Sequence, residues 1–269
     1  MRRPVQIALG ALALAGGTLL YGSLVEARRL KVERHTLRLR HWPKSLEGFR
    51  IAFLADFHLR DTHTLDLAHR AVGAALDASP DMVVLGGDYV EHWTLECPEM
   101  LGTVLEPLLL MEGDVVAVPG NHDYERGDAS LLEPIFDALN IKLLRNEAWT
   151  HNGIQWLGID SATMGMDDPE TAICQLDGHA PVIALWHEPD MVDELPIEAS
   201  LMLSGHSHGG QFISPWGWAP MRTRGGKKYV RGFYPDAPTP IYVSRGLGTT
   251  GPPSRLFCPP EVTILTLTS

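Results

Sequence analysis

A chain of 269 residues with 45% hydrophobic content can build one large core, which excludes a globally disordered polypeptide. Its net charge of −11 is unevenly spread: residues 1–50 carry ten Lys/Arg against three Asp/Glu, and the remainder twelve against thirty. An acidic body repels phosphate backbones, so nucleic acid is not an expected partner, whereas a basic strip beside an apolar segment suits an anionic membrane surface.

The apolar segment is Pro4–Val25, 22 residues without a charge and long enough to span a bilayer. Arg2-Arg3 ahead of it and Val25-Glu26-Ala27 behind it fit an export signal, a twin-arginine one included. Arg28, Arg29, Lys31, Arg34, Arg38 and Arg40 favour holding that flank in the cytoplasm. The two cues conflict. The expectation is an uncleaved anchor over residues 1–27 in a bacterial cell membrane, a basic lead-in over 28–49 and a catalytic domain over 50–269, with the membrane face left open.

His35–Arg40 alternates as an edge strand, and Arg50–Ala55 is a buried-strand run ending in Asp56-Phe57-His58. Thr64–Ala78 reads as a helix with Leu65, Ala68, Val72, Ala75 and Leu76 on one face. Asp81–Leu85 is a strand ending in Gly86-Gly87-Asp88, and Glu99–Met111 a helix despite Pro107. Val115–Val118 leads into Pro119-Gly120-Asn121-His122-Asp123, followed by a helix over Ala129–Leu139 with Asn140 as its cap. Further strands are Ile154–Ile159, Val182–Trp186, Leu201–Ser204, Ile241–Ser244 and Val262–Leu267, with a helix over Asp168–Leu176. Strands alternating with helices imply an α/β sandwich on parallel or mixed sheets, in which ligands gather outside the carboxyl ends of strands. Cys97, Cys174 and Cys258 form no C-x-x-C pair, so three buried thiols are expected rather than a disulfide framework or a thiolate metal site.

Two motifs mislead. Gly205-His206-Ser207-His208-Gly209 matches the G-x-S-x-G nucleophile elbow, but Gly209-Gly210 opposes the required helix and no histidine follows His208. Gly246–Gly251 matches G-x-G-x-x-G, but Pro252-Pro253 blocks the helix and the chain ends too soon for the acidic partner.

The strand ends collect Asp56, His58, Asp88, Asn121, His122, His187, His206 and His208, all oxygen or imidazole donors. Such a set suits Mn, Fe, Zn or Mg, and so many donors exceed one ion with an open position but fit two ions sharing a carboxylate. Taken singly, each also fits a helix cap or a loop histidine. His63, His69, His92, His151 and His179 lie outside the pattern and are expected to be structural or superficial.

D-x-H (Asp56, His58), G-D (Gly87, Asp88), G-N-H-D (Gly120–Asp123), the lone His187 and G-H-x-H (Gly205–His208) resemble the ordered motif set of calcineurin-like metallophosphoesterases. L-S-G-H-S-H-G-G-Q, the apolar N-terminus and P-E-V-T-I-L-T-L further resemble the bacterial YaeI/YkuE-like branch. Ser207 stands where threonine is usual and Asp123 where many members have glutamate. The resemblance implies a β-sandwich of mixed sheets flanked by helices in four αββα layers. It implies one divalent metal on Asp56, His58, Asp88 and His208, and a second on Asp88, Asn121, His187 and His206, with Asp88 shared. Two cations about 4 Å apart acidify a water between them and neutralise phosphoryl oxygens. His122, left uncoordinated, would protonate the leaving oxygen, and Asp123 would orient and charge its imidazole. The expected substrate is a phosphodiester or pyrophosphate, amphiphilic in view of the membrane segment; some relatives of this broad branch act on UDP-2,3-diacylglucosamine. The alternatives are an exported esterase acting on a cell-envelope or small phosphate ester, and a non-catalytic metal-binding protein on the same fold. Arg222, Arg224 and Arg245 are candidates for substrate contact, and no protein partner is implied.

Overall fold

A computed structural model describes residues 2–269. Two six-stranded mixed sheets form the body. The first comprises β1 (Lys31–Arg38), β2 (Phe49–Leu54), β3 (Met82–Leu85), β4 (Val115–Ala117), β5 (Lys142–Leu143) and β12 (Glu261–Thr268), in the order β1-β12-β2-β3-β4-β5. The second comprises β6 (Glu147–His151), β7 (Ile154–Ile159), β8 (Val182–Trp186), β9 (Leu201–Ser204), β10 (Gly232–Tyr234) and β11 (Ile241–Val243), in the order β10-β11-β9-β8-β7-β6. Strands β2 to β5 pair in parallel, as do β7, β8, β9 and β11, so their carboxyl ends line one edge in each sheet.

Side chains alternate across a strand, which explains why these strands read as unbroken apolar runs. Ile51 and Phe53 face the second sheet, packing with Trp156, Leu185 and Leu203. Ala52 and Leu54 face the opposite way, onto α2 (Thr62–Asp77) and α3 (Cys97–Leu105). The outer face of the second sheet is covered by α5 (Pro169–Ile173) and the turn around Val192, giving four αββα layers. Both sheet faces are dry, as parallel sheets require.

Helix α2 starts where Asp61 accepts from the Thr64 amide and Thr64 reciprocates, a capping box. Its buried stripe is Leu67, Ala68, Ala71, Val72 and Ala75, with Leu65 and Leu76 only half-buried. The stretch expected as one helix over Glu99–Met111 is divided: α3 ends at Leu105 and a 3-10 turn runs Glu106–Met111. Pro107 lacks an N–H and clashes with the preceding turn, which explains the division. Pro134 acts likewise, so only α4 (Glu133–Ala138) is α-helical and Ala129–Leu132 is 3-10. Asn140 takes φ 56° beyond α4, as the cap reading required. The expectation passed over β5, β6 and β10, which are short, half-buried or polar. Cys174 is exposed rather than buried.

The basic lead-in is part of the sheet. β1 runs parallel to β12 over eight pairs, and Leu37, Leu39 and Trp42 are buried in the inter-sheet core. Ahead of it stands α1 (Arg2–Leu24), the one helix among the described residues long and apolar enough to cross a membrane.

Candidate metal centre

The strand-end residues meet because the loops stay paired after the strands finish. Beyond β2, the amides of Asp56 and His58 donate to the carbonyls of Gly87 and Asp88 beyond β3, at 2.9 and 3.0 Å. Beyond β9, the Gly205 amide donates to His187 O at 3.1 Å. His206 N–H then ties the second sheet to the first by donating to Asp56 Oδ1, and His122 N–H ties the β4 loop to the β3 loop by donating to Asp88 Oδ1, each at 2.8 Å. The Gly246-Leu247-Gly248 loop crosses above Asp56 so closely that a Cβ on Gly246 would lie 2.5 Å from the Asp56 side chain. That approach, not a dinucleotide, is the use of its glycines.

Three donor clusters result, all within 4.8 Å reach: Asp56, His58, Asp88 and His208; Asp88, His187 and His206; and His58, Glu91 and His122. The first two share Asp88. His58 Nε2 lies 3.1 Å from His208 Nε2 and 3.4 Å from Asp88 Oδ2, and His187 Nε2 lies 3.1 Å from Asp88 Oδ2. The ring orientations are fixed from behind. His187 Nδ1–H donates to Gly86 O and His206 Nε2–H to Arg224 O, both at 2.6 Å, which leaves the opposite nitrogens facing the centre.

Asp56 Oδ2, Asn121 Oδ1 and His187 Nε2 are buried without a hydrogen-bond partner. Unpartnered buried acceptors are costly. A cation is the group that satisfies carboxylate, amide oxygen and imidazole together, so the residues fit divalent metal. Asp56, His58, Asp88, His206 and His208 all have φ between 45° and 66°, a left-handed conformation disfavoured for side-chain-bearing residues. Five strained residues around one point mark a functional site.

Burial would raise the Asp88 carboxyl, but His187, by charge and hydrogen bond, and then His58 hold it well below the carboxylate range. Burial lowers His208 far below the usual imidazole value, helped by His58 and Arg255. A neutral imidazole keeps the lone pair a cation needs.

Asp123 does not orient His122. Its carboxylate is buried and accepts from four backbone amides, Asp88 and Gly120 on Oδ2 (2.9 and 2.8 Å) and Tyr89 and Val90 on Oδ1 (2.8 and 3.4 Å). Burial, reinforced by the Asp88 charge, pushes it up to about 7. The residue behind His122 is Glu91, whose carbonyl accepts from Nδ1 at 2.8 Å and whose carboxylate lies 3.0 Å from His58 Nδ1. Arg245, expected at a phosphate, is instead clamped between Glu33 (2.7 Å) and Glu261 (2.5 Å), where it ties β1 to β12. Arg222 lines a hollow of about 130 Å³ beside His208, while Arg224 serves the site through its carbonyl.

The expectation missed Glu91, Glu188 and Arg255. Buried Glu188 accepts from Ser161 Oγ (2.6 Å) and Thr163 N (2.9 Å), fixing the loop after His187. Fully buried Arg255 donates to the carbonyls of Arg245, Gly246, Gly248 and Cys258. Acids three residues after Asp88 and one after His187 were the available signal for the first two; Arg255 had none.

A family model of the calcineurin-like phosphoesterases matches residues 49–210. The chain belongs to that family. Nearly end to end, this metallophosphoesterase is similar to the metallophosphoesterase YkuE of Bacillus subtilis, at 31% identity over 98% of this chain and 94% of that one. It is similar to the phosphodiesterase YaeI of Escherichia coli at 30% identity, over 99% and 98%. Its fold is similar to that of TT1561 of Thermus thermophilus, with TM-score 0.50, 10% identity and coverage of 74% and 90%. The metallophosphoesterase is therefore a metal-dependent phosphoester hydrolase, and its Asp/His clusters could hold divalent metal.

Proposed function

We propose that the protein is a dinuclear phosphodiesterase or pyrophosphatase, anchored through α1, that acts on an amphiphilic substrate. The observation that carries the two-metal reading is the pair of donor clusters meeting at Asp88. Asp56, His58, Asp88 and His208 would hold one cation, and Asp88, Asn121, His187 and His206 the other. When bound, the cations supply Lewis acidity toward phosphoryl oxygens and an activated water.

The chain's own residues do the rest. His122 Nδ1–H donates to Glu91 O, and although burial disfavours its charged form, the Asp88 charge and that bond raise its pKa, so the imidazolium can give its second proton, at Nε2, to the leaving oxygen. The Asp123 carboxylate fixes the amides of Asp88 and Gly120 and so sets where Asp88 points. A diester is favoured over a monoester by the likeness to a phosphodiesterase. The anchor is favoured by the apolarity and exposure of α1.

The test compares Asp88→Ala and His122→Ala in manganese-loaded protein. Asp88→Ala loses metal and turnover together. His122→Ala keeps its metal and loses about 10²-fold or more in kcat, with a larger loss on an alkyl ester than on bis-p-nitrophenyl phosphate, whose leaving group needs no proton. Wild-type turnover in either variant contradicts the assignment.

A further inference from the structure

We infer that the rim of the metal centre formed by the Ser214–Trp218 turn, Met221 and Phe257 seats on an anionic lipid bilayer, so that the centre opens onto the membrane surface. This rests on reading α1 as the anchor.

Only 6% of the apolar window of α1 is buried, so among the described residues its apolar side chains are left largely uncovered by the rest of the chain. A helix of 23 residues is roughly 35 Å long at 1.5 Å per residue, about the thickness of a hydrocarbon core. Its last turn therefore emerges at headgroup level. That turn is capped by the Pro253-Ser254-Arg255 segment. Arg255 N–H donates to Gly22 O (3.3 Å), Ser254 Oγ–H to Leu19 O (3.1 Å) and Ser23 Oγ–H to Pro253 O. The approach is close enough that a Cβ on Gly22 would lie 2.1 Å from Ser254 Oγ.

From this cap the backbone leads straight to the exposed patch. The Leu256 amide donates to Gln211 O (3.0 Å) and the Ile213 amide to Leu256 O (2.8 Å). The following turn closes with Ser214 N–H donating to Trp218 O at 2.8 Å, and Arg231 pins it through the Gly217 carbonyl at 3.0 Å. On these segments Trp216 is 80% exposed, Trp218 54%, Met221 56% and Phe257 58%. Large exposed apolar side chains gathered in one place mark an interaction surface, and tryptophan is the residue that favours the bilayer interface.

The charge matches an anionic surface. Among the described residues, Arg222, Arg224, Lys227 and Arg231 have no carboxylate within 4.0 Å, whereas Lys228 is neutralised by Asp193 at 2.8 Å. Four free cations on a body otherwise strongly acidic orient this face toward anionic headgroups. The hollow beside His208 is walled by Met221, Arg222 and Thr250, so it lies inside the patch. An amphiphile could place its phosphate at the centre without leaving the plane of the membrane.

The seven tryptophans make this testable, because none lies in α1 and only Trp216 and Trp218 are in the patch. The full chain is placed in nanodiscs of phosphatidylcholine and phosphatidylglycerol, with and without bromine on the acyl chains. Bromine is expected to quench tryptophan emission. Trp216→Phe with Trp218→Phe abolishes the bromine-dependent part while bis-p-nitrophenyl phosphate turnover is unchanged, and pure phosphatidylcholine discs reduce it. No bromine quenching in the parent, or quenching that survives in the double variant, overturns the inference. Failure of the chain to enter nanodiscs overturns the anchor and the inference together. Quenching without any turnover supports the membrane face and sinks the hydrolase assignment instead.

Discussion

Asp123→Ala separates two parts a carboxylate can play beside a catalytic histidine. If Asp123 charged the His122 imidazole, its loss would shift the pH dependence of kcat and leave stability nearly intact. The structure gives it a different task, as the side-chain acceptor, among the described residues, for the amides of Asp88, Tyr89, Val90 and Gly120. Alanine strands four buried donors, three of them in short bonds each worth about 1–3 kcal/mol, so the cost is about 3 kcal/mol or more from a total near 5–15 kcal/mol. At roughly 2–4 °C per kcal/mol for a domain of this size, Tm falls by roughly 10 °C. Asp123→Asn is nearly as harmful, because an amide NH2 in place of Oδ2 would face the donors of Asp88 and Gly120. Released loops misplace Asp88, so manganese content by mass spectrometry falls together with kcat. Thermal unfolding, metal content and the pH profile are read on the same preparations. An Asp123→Ala protein with unchanged Tm and full metal, but a displaced limb in its pH profile, would refute this account and restore the imidazole-charging role.

Two further outcomes follow from other parts of the molecule. Arg255→Lys cannot supply the planar fork that serves the carbonyls of Arg245, Gly246, Gly248 and Cys258; a loss of roughly 4 kcal/mol and weaker manganese binding through the His208 loop should appear in calorimetry and metal titration. At the start of α2, burial pushes the Asp61 carboxyl up, but the Thr64 amide and hydroxyl and Arg60 outweigh it and hold it below the ordinary range. A depressed carboxyl stabilises the fold above its unfolded pKa of about 3.9 and loses that contribution as pH falls through the folded value. Asp61→Ala should thus lower Tm by about 1 kcal/mol equivalent at pH 7, with the gap to the parent closing in acid.

The ligand set was legible because a metal centre needs particular atoms, and those atoms belong to few residue types. Asp56, His58, Asp88, Asn121, His187, His206 and His208 stand at the ends of apolar runs, where a parallel sheet collects polar groups. The central strands were legible for the same reason: burial on both faces leaves an unbroken apolar signature. Short polar edge strands carry none, so β5, β6 and β10 went unread.

What the sequence by itself determined, then, was the chemistry at the strand ends and the layered α/β order, since both are written in residue type and period. Only the tertiary structure decided the partners. Asp123 and His122 are neighbours in the chain, yet the Asp123 carboxylate turns to four backbone amides, while Glu91, from another loop, takes the imidazole. Arg245 looked free for phosphate until β1 brought Glu33 beside it. Hydrogen bonds and ion pairs depend on distance in space, and a linear order of residues does not contain distances between separate loops and strands.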